Sequence, residues 1–280
     1  MMFSLTYKDL TYFLDSILPQ EIIDLTWYAS IDPLYWAILK AEKDRRQEQG
    51  RRMNIKLDPL SPASIYSRYI LGHLEKDAIV PIRTIKSRAH VDKFTHELVN
   101  SMKLYELGFD IEYQEIFKYI ISELLTNAVD HGKSYAIASA QRLSDLDEIE
   151  ITVVDTGLGL LRTIGRKYKV SSSSEAIKLA IKKNISGAMD YLYGSAQRNV
   201  GMGLCVISKI VKDTDGVMCI VSDDSIAKYT PSGEYVTTIK NKWQGTIVMS
   251  RFNLRPFIKV FESGFITYMS RIIDDIEKEL

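Results

Sequence analysis

The stretch Ile116 to Gly132, IFKYIISELLTNAVDHG, constrains this chain more than any other. Ile116, Tyr119, Ile120, Leu124 and Ala128 recur at intervals of three and four, the period of a helix that buries one face. Glu123 and Asn127 are four apart, so they stand one turn above the other along one side of that helix. A carboxylate and a carboxamide set against an apolar stripe are costly to bury unless something binds them, which makes them the first candidates for a site. The alternative on this segment alone is a surface helix whose Glu and Asn meet solvent.

With 280 residues the chain has room for two modest domains or one large one. Its 36 basic residues balance 36 acidic ones, so nothing global marks nucleic acid or an anionic membrane as the partner. No stretch approaches the roughly 18 apolar residues of a membrane span, and the first residues carry early charges without a signal-type cleavage pattern. Cys205 and Cys219 are too few for a disulfide framework or a thiolate metal site. A cytoplasmic protein is the expectation.

Taken in order, Glu21 to Ser30 reads as a strand, and Asp32 as N-cap with Pro33 at the first helical position opens a helix over Leu34 to Arg46. Met53 to Leu57 reads as a second strand and Ser64 to Leu74 as a second helix. This order predicts a small α/β unit over residues 1–82 with one parallel pair of strands. It contains no glycine-rich phosphate turn and no cluster of acids, His or Cys, which suits an interaction module. Lys76 to His90 is polar and is the expected boundary. Val91 to Leu107 reads as a helix, and the central helix follows from Glu112. Tyr135 to Ala140 and Ile149 to Val154 read as antiparallel strands. Ser174 is a candidate cap for a helix holding Ile177, Ala180 and Ile181. Leu204 to Val211 reads as a helix, and Val217 to Val221, Tyr235 to Ile239 and Thr246 to Phe252 as three strands. The tail starts extended from Phe257 and ends as an acidic amphipathic helix.

Three clusters could carry chemistry: Glu123 with Asn127, Asp155-Thr156-Gly157-Leu158-Gly159, and Gly201-Met202-Gly203. Asp155 ends an apolar strand, where its carboxylate can accept from an amine such as the exocyclic amino group of adenine. Gly157 and Gly159 permit positive φ or close approach of a flat ring to the backbone. The plainer alternative is a tight glycine turn after an edge strand. Gly201 and Gly203 directly precede a helix, so free N–H groups and the positive helix end favour an anion. The Lys-Ser/Thr of a P-loop is missing, and the spacing does not match a dinucleotide-binding turn. Asn127 offers a neutral oxygen suited to Mg²⁺, and Glu123 is placed to take a proton from an attacking water or hydroxyl.

At these residues the chain resembles a known group. ELLTNAVDHG, residues 123–132, is similar to the N box of the GHKL ATPase superfamily, and is closest in form to anti-sigma-factor serine kinases and histidine-kinase-like ATP-binding domains. Asp155 to Gly159 resembles the family's first glycine box, Gly201-Met202-Gly203-Leu204 its second, and Gly245-Thr246 its final-strand Gly-Thr. The resemblance covers roughly residues 90–255. It implies an α/β (α+β) Bergerat fold over 83–255, a sandwich of a mixed, mostly antiparallel sheet with helices on one face, followed by a C-terminal extension over 256–280. It implies ATP and Mg²⁺ as cofactors, with Glu123 as the activating carboxylate, Asn127 holding Mg²⁺ and Asp155 recognising adenine. Gly157, Gly159, Gly201, Gly203, Leu204 and Thr246 would complete the nucleotide site and residues 163–200 would form a lid; Lys133 or Arg198, which match no motif position, are candidates on charge to neutralise phosphate. The amino-terminal unit is loosely similar to the STAS-like modules that accompany such ATPases.

The function implied is that of an ATP-binding regulator with slow Mg-dependent hydrolysis or serine/threonine kinase activity, coupled to a protein partner or to a homodimer. A non-catalytic nucleotide-dependent switch and the ATPase module of a DNA-handling machine are the alternatives. Membrane is not expected as a partner. Nucleic acid is expected only under the DNA-handling alternative, which the balanced charge and the missing transducer domain disfavour.

Overall fold

The amino-terminal residues spend their short strands in parallel pairs. In the computed structural model, which describes residues 2–74, 79–107, 109, 111–143, 146–182 and 203–278, β1 (Phe3–Leu5) pairs with β3 (Tyr28–Ile31), and β2 (Ile22–Asp24) pairs with β4 (Asn54–Lys56). The expected single strand over 21–30 is therefore two, separated by the turn that Asp24 makes with Thr26. Between β1 and β2 run α1 (Leu10–Tyr12) and a π-helical turn, Phe13–Ile17. Then come α2 (Pro33–Glu48) and α3 (Pro62–Ile70).

Asp32 holds the N-cap position of α2 but does not cap it with its side chain. Its carboxylate accepts from the Tyr7 N–H at 2.8 Å, and the Leu34 N–H at the helix start donates instead to Glu150 Oε1 at 2.7 Å. Late in the same helix, Arg46 is buried. It pairs with Glu42 and donates to the carbonyls of Leu18 and Gln20, so this basic residue ties α2 to the preceding loop.

A five-stranded sheet follows, in the spatial order β5-β6-β7-β9-β8 and antiparallel at every join. Its strands are β5 (Arg83–Ile85), β6 (Ala136–Leu143), β7 (Glu148–Asp155), β8 (Val217–Thr230) and β9 (Gly233–Asn253). The polar boundary stretch thus contributes an edge strand. The three strands expected over 217–252 are two long ones, because Ser222 to Thr230 turns back on Gly233 to Thr238 as a ribbon.

Helices α4 (Val91–Ser101), α5 (Ile111–Thr126), α6 (Gly159–Gly165), α7 (Ser173–Ala180) and α8 (Gly203–Asp213) complete the middle of the chain. Ser172, not Ser174, caps α7 by accepting from the Glu175 N–H. The chain closes with α9 (Leu254–Val260) and α10 (Phe265–Lys278). The tail expected to start extended is helical from Leu254, where Phe257 stacks on Phe117 of α5. Burying that ring outweighs the weak local signal for helix.

Alternation along β7 sends Ile149, Ile151 and Val153 to one core with α4, α5 and α8. Val154 goes to a second core with Leu34, Ile38 and Phe13 of the amino-terminal segment. Both faces of the sheet are covered, which is why its strands read as near-continuous apolar runs. The α/β (α+β) class is as expected. The helices of residues 91–213 lie on one face, and α2 occupies the other.

Candidate functional site

Asp155 is the last residue of β7 and belongs to the series that faces α5. It is 3% exposed. Its Oδ1 accepts from the Gly157 N–H at 2.8 Å, closing a tight turn. The register that pairs Val154 with Ile247 puts Thr246 beside it. Burial pushes the Asp155 carboxyl up to about 7, while hydrogen bonds from the Gly157 N–H and from the backbone and hydroxyl of Thr246 pull the other way. No described cation offsets the burial.

Glycines make this packing possible. A Cβ on Gly132 would lie 2.9 Å from Asp155 Oδ1, one on Gly157 would lie 1.9 Å from the Gly132 carbonyl oxygen, and one on Gly245 would lie 2.3 Å from the Asp155 carbonyl oxygen. Gly245 also needs its φ of +103°, and Gly159 its φ of +74°. The Leu158 N–H donates to Gly132 O at 3.0 Å, joining the end of the central helix to the turn after β7. The three motifs around Asp155 are thus in backbone contact.

Glu123 lies in the last turn of α5 and is half-buried. Burial raises its carboxyl and the Arg88 guanidinium partly offsets this. Gly203, the first residue of α8, abuts it so closely that a Cβ there would lie 2.1 Å from Glu123 Oε2. The structure therefore joins the helix bearing Glu123 to the helix that follows the second glycine cluster. Asn127 is the first residue of a π-helical turn, Asn127–His131, whose wide loop is closed by the Gly132 N–H on Asn127 O at 3.2 Å. Such turns inside helices recur at functional positions.

The remaining expected residues fall less evenly. Leu204 is half-buried and packs against both the main core and the small cluster of Ile164, Ala176 and Ala180. Lys133 is exposed in the left-handed region at φ +53°. Gly201 and Arg198 lie outside the described residues, as does the part of the expected lid over 183–200.

Sequence reasoning missed several members of the site. Trp243 donates through Nε1 to the Asp155 carbonyl at 3.0 Å. Ser222 Oγ accepts from the Leu160 N–H at 2.8 Å and donates to Gly245 O at 3.2 Å, pinning the glycine turn to β8. Arg88 pairs with Asp130 and is the cation that acts on Glu123. Only Gly132 had a local signal, as the glycine ending the central helix.

A buried carboxylate bounded by glycine backbone can take the edge of a flat ring carrying an amino group. Among the described residues no group of three or more His, Cys, Asp and Glu could hold a metal. Asn127 would hold Mg²⁺ only together with ligand oxygens and water, the coordination that Mg²⁺ commonly takes. Among the described residues no helix is long and apolar enough to cross a membrane. No protein-family model matches the chain, and no curated protein matches it. Fold and site define an α+β protein with a glycine-lined carboxylate at a strand end, on the face of the sheet covered by α5, which bears Glu123 and continues into the π-helical turn that starts at Asn127.

Proposed function

We propose that the chain is a cytoplasmic ATP-binding regulator of the GHKL type, in which nucleotide binding is coupled to a protein partner or to a second copy. The observation that carries this reading is Asp155: a carboxyl almost wholly buried, without a described cation, at a place where three glycines leave no room for a Cβ. Nature rarely buries an acid in this way without a use for it. In this reading Asp155 accepts from the adenine amino group and Thr246 stands beside it. Gly157 and Gly159 let the ring approach the backbone.

Asn127 would lend its side-chain oxygen to Mg²⁺, which neutralises phosphate charge when bound. Glu123, raised by burial, is suited to accept a proton from a water or hydroxyl that attacks the terminal phosphate. The contact of Gly203 with Glu123 sets the amino-terminal end of α8, whose free N–H groups suit an anion, beside that carboxylate. Gly201 is proposed on the resemblance alone, and Lys133 and Arg198 on their charge.

Hydrolysis by the purified chain and by Glu123→Ala tests the enzymatic part. Loss of turnover with nucleotide affinity retained is the expected outcome. Turnover unchanged in the variant would remove Glu123 from its role. Binding without turnover in either protein would leave a nucleotide-dependent switch.

A further inference from the structure

One segment of β9 leaves its ladder next to the site. Thr238 pairs with Ser225 and Trp243 with Asp223, so Ile239 to Lys242 have only Asp224 opposite them on β8. Backbone groups released from a ladder need other partners. Here the amino-terminal unit supplies them. Asp15 Oδ1 accepts from the N–H groups of Lys240 at 2.7 Å and Asn241 at 3.0 Å, and its carbonyl accepts from Asn241 Nδ2 at 2.9 Å.

Asp15 is itself well anchored. It lies in the π-helical turn whose Phe13, Leu14 and Ile17 are buried in the core shared with the sheet. Downstream of the held segment come the groups that touch Asp155: Trp243 through its indole, Gly245 through close backbone approach, and Thr246 through its backbone and hydroxyl. Trp243 is buried in that same shared core.

We propose that Asp15 is a positioning residue for the Asp155 site, clamping the looped segment of β9 so that Trp243, Gly245 and Thr246 meet Asp155. A change in the amino-terminal unit is then read at Asp155, and a ligand at Asp155 is felt in the amino-terminal unit by reciprocity. The identity of the ligand rests on the nucleotide reading, whereas the clamp rests on the hydrogen bonds alone.

The test uses the full chain labelled with fluorotryptophan, whose three tryptophans are Trp27, Trp36 and Trp243. Fluorine NMR resolves them, with Trp243 assigned through Trp243→Phe. Without nucleotide, Asp15→Ala should move the Trp243 resonance and leave that of exposed Trp27 in place. Calorimetry with Mg-ADP should give affinity about fivefold to tenfold weaker, the lower part of the range for coupled sites. Asp15→Asn keeps the acceptor oxygen and should restore both readouts. Asn241→Ala, a milder cut at the same clamp, should shift Trp243 in the same direction and serves if Asp15→Ala does not fold. An unmoved Trp243 resonance in a folded variant would overturn the clamp. Wild-type protein that takes up no Mg-ADP would bring down the nucleotide reading, and the resonance shift would still decide the clamp.

Discussion

Strand β7 carries two buried carboxylates five residues apart, and the two faces of the sheet treat them oppositely. Glu150 faces the amino-terminal segment, fully buried. It accepts from Arg251 Nε at 2.8 Å, from Arg251 Nη2 at 2.7 Å and from the Leu34 N–H. Arg251 also pairs with Asp32, and Tyr7 covers the guanidinium. Asp155 faces α5 with backbone donors and one hydroxyl but no described cation. A carboxylate satisfied by a guanidinium belongs to the architecture, because its charge is already neutralised. Burial raises the proton affinity of both carboxyls, but the one held only by neutral donors has no counter-charge beside it among the described residues.

The sharpest way to break this contrast is to remove the cation from the structural side. Arg251→Ala should cost about 3–5 kcal/mol in denaturant unfolding, since it leaves Glu150 and Asp32 buried without a counter-charge. A cost below about 1 kcal/mol would mean that the cluster does not hold the amino-terminal segment to the sheet.

The other side should respond to pH instead. The folded-state value of Asp155, about 7, lies above its ordinary 3.8, so its contribution to stability is fully present below pH 3.8 and is lost as pH rises through about 7. Between those values wild-type protein should lose stability relative to Asp155→Asn, by a few kcal/mol at most. Parallel pH profiles of the two proteins would show that Asp155 is not held in this way. A smaller effect is expected at Gly245→Ala, where positive φ and the approach to Asp155 O should together cost about 1–3 kcal/mol. Thermal unfolding of that variant at pH 6 and pH 8 would show whether the strain is coupled to the charge on Asp155.

Much of this was legible in the chain itself. The central helix announced its apolar stripe, and Asp155 was marked by the apolar run before it and the glycines after it. The parallel pairing of β2 with β4 followed from the strand-helix-strand order, whereas the second pair, β1 with β3, had no local signal. What stayed hidden depends on contacts distant in sequence. Glu150 replaces Asp32 as the cap of α2 across more than a hundred residues, and only the folded sheet brings them together. The end of the chain turns helical at Leu254 because Phe257 finds Phe117, a pairing that no local pattern encodes. Trp243 falls between two of the expected strands, and its bond to Asp155 arises from the irregular register of β8 against β9.

The most direct test is calorimetry of Mg-ATP binding at pH 6 and pH 8. The ionised carboxylate accepts the adenine amino group more strongly than the protonated carboxyl does, so affinity should be higher at pH 8, by up to about tenfold, and the difference should vanish in Asp155→Asn. Absence of binding at both values, or wild-type affinity that ignores pH and survives Asp155→Asn, would contradict the account.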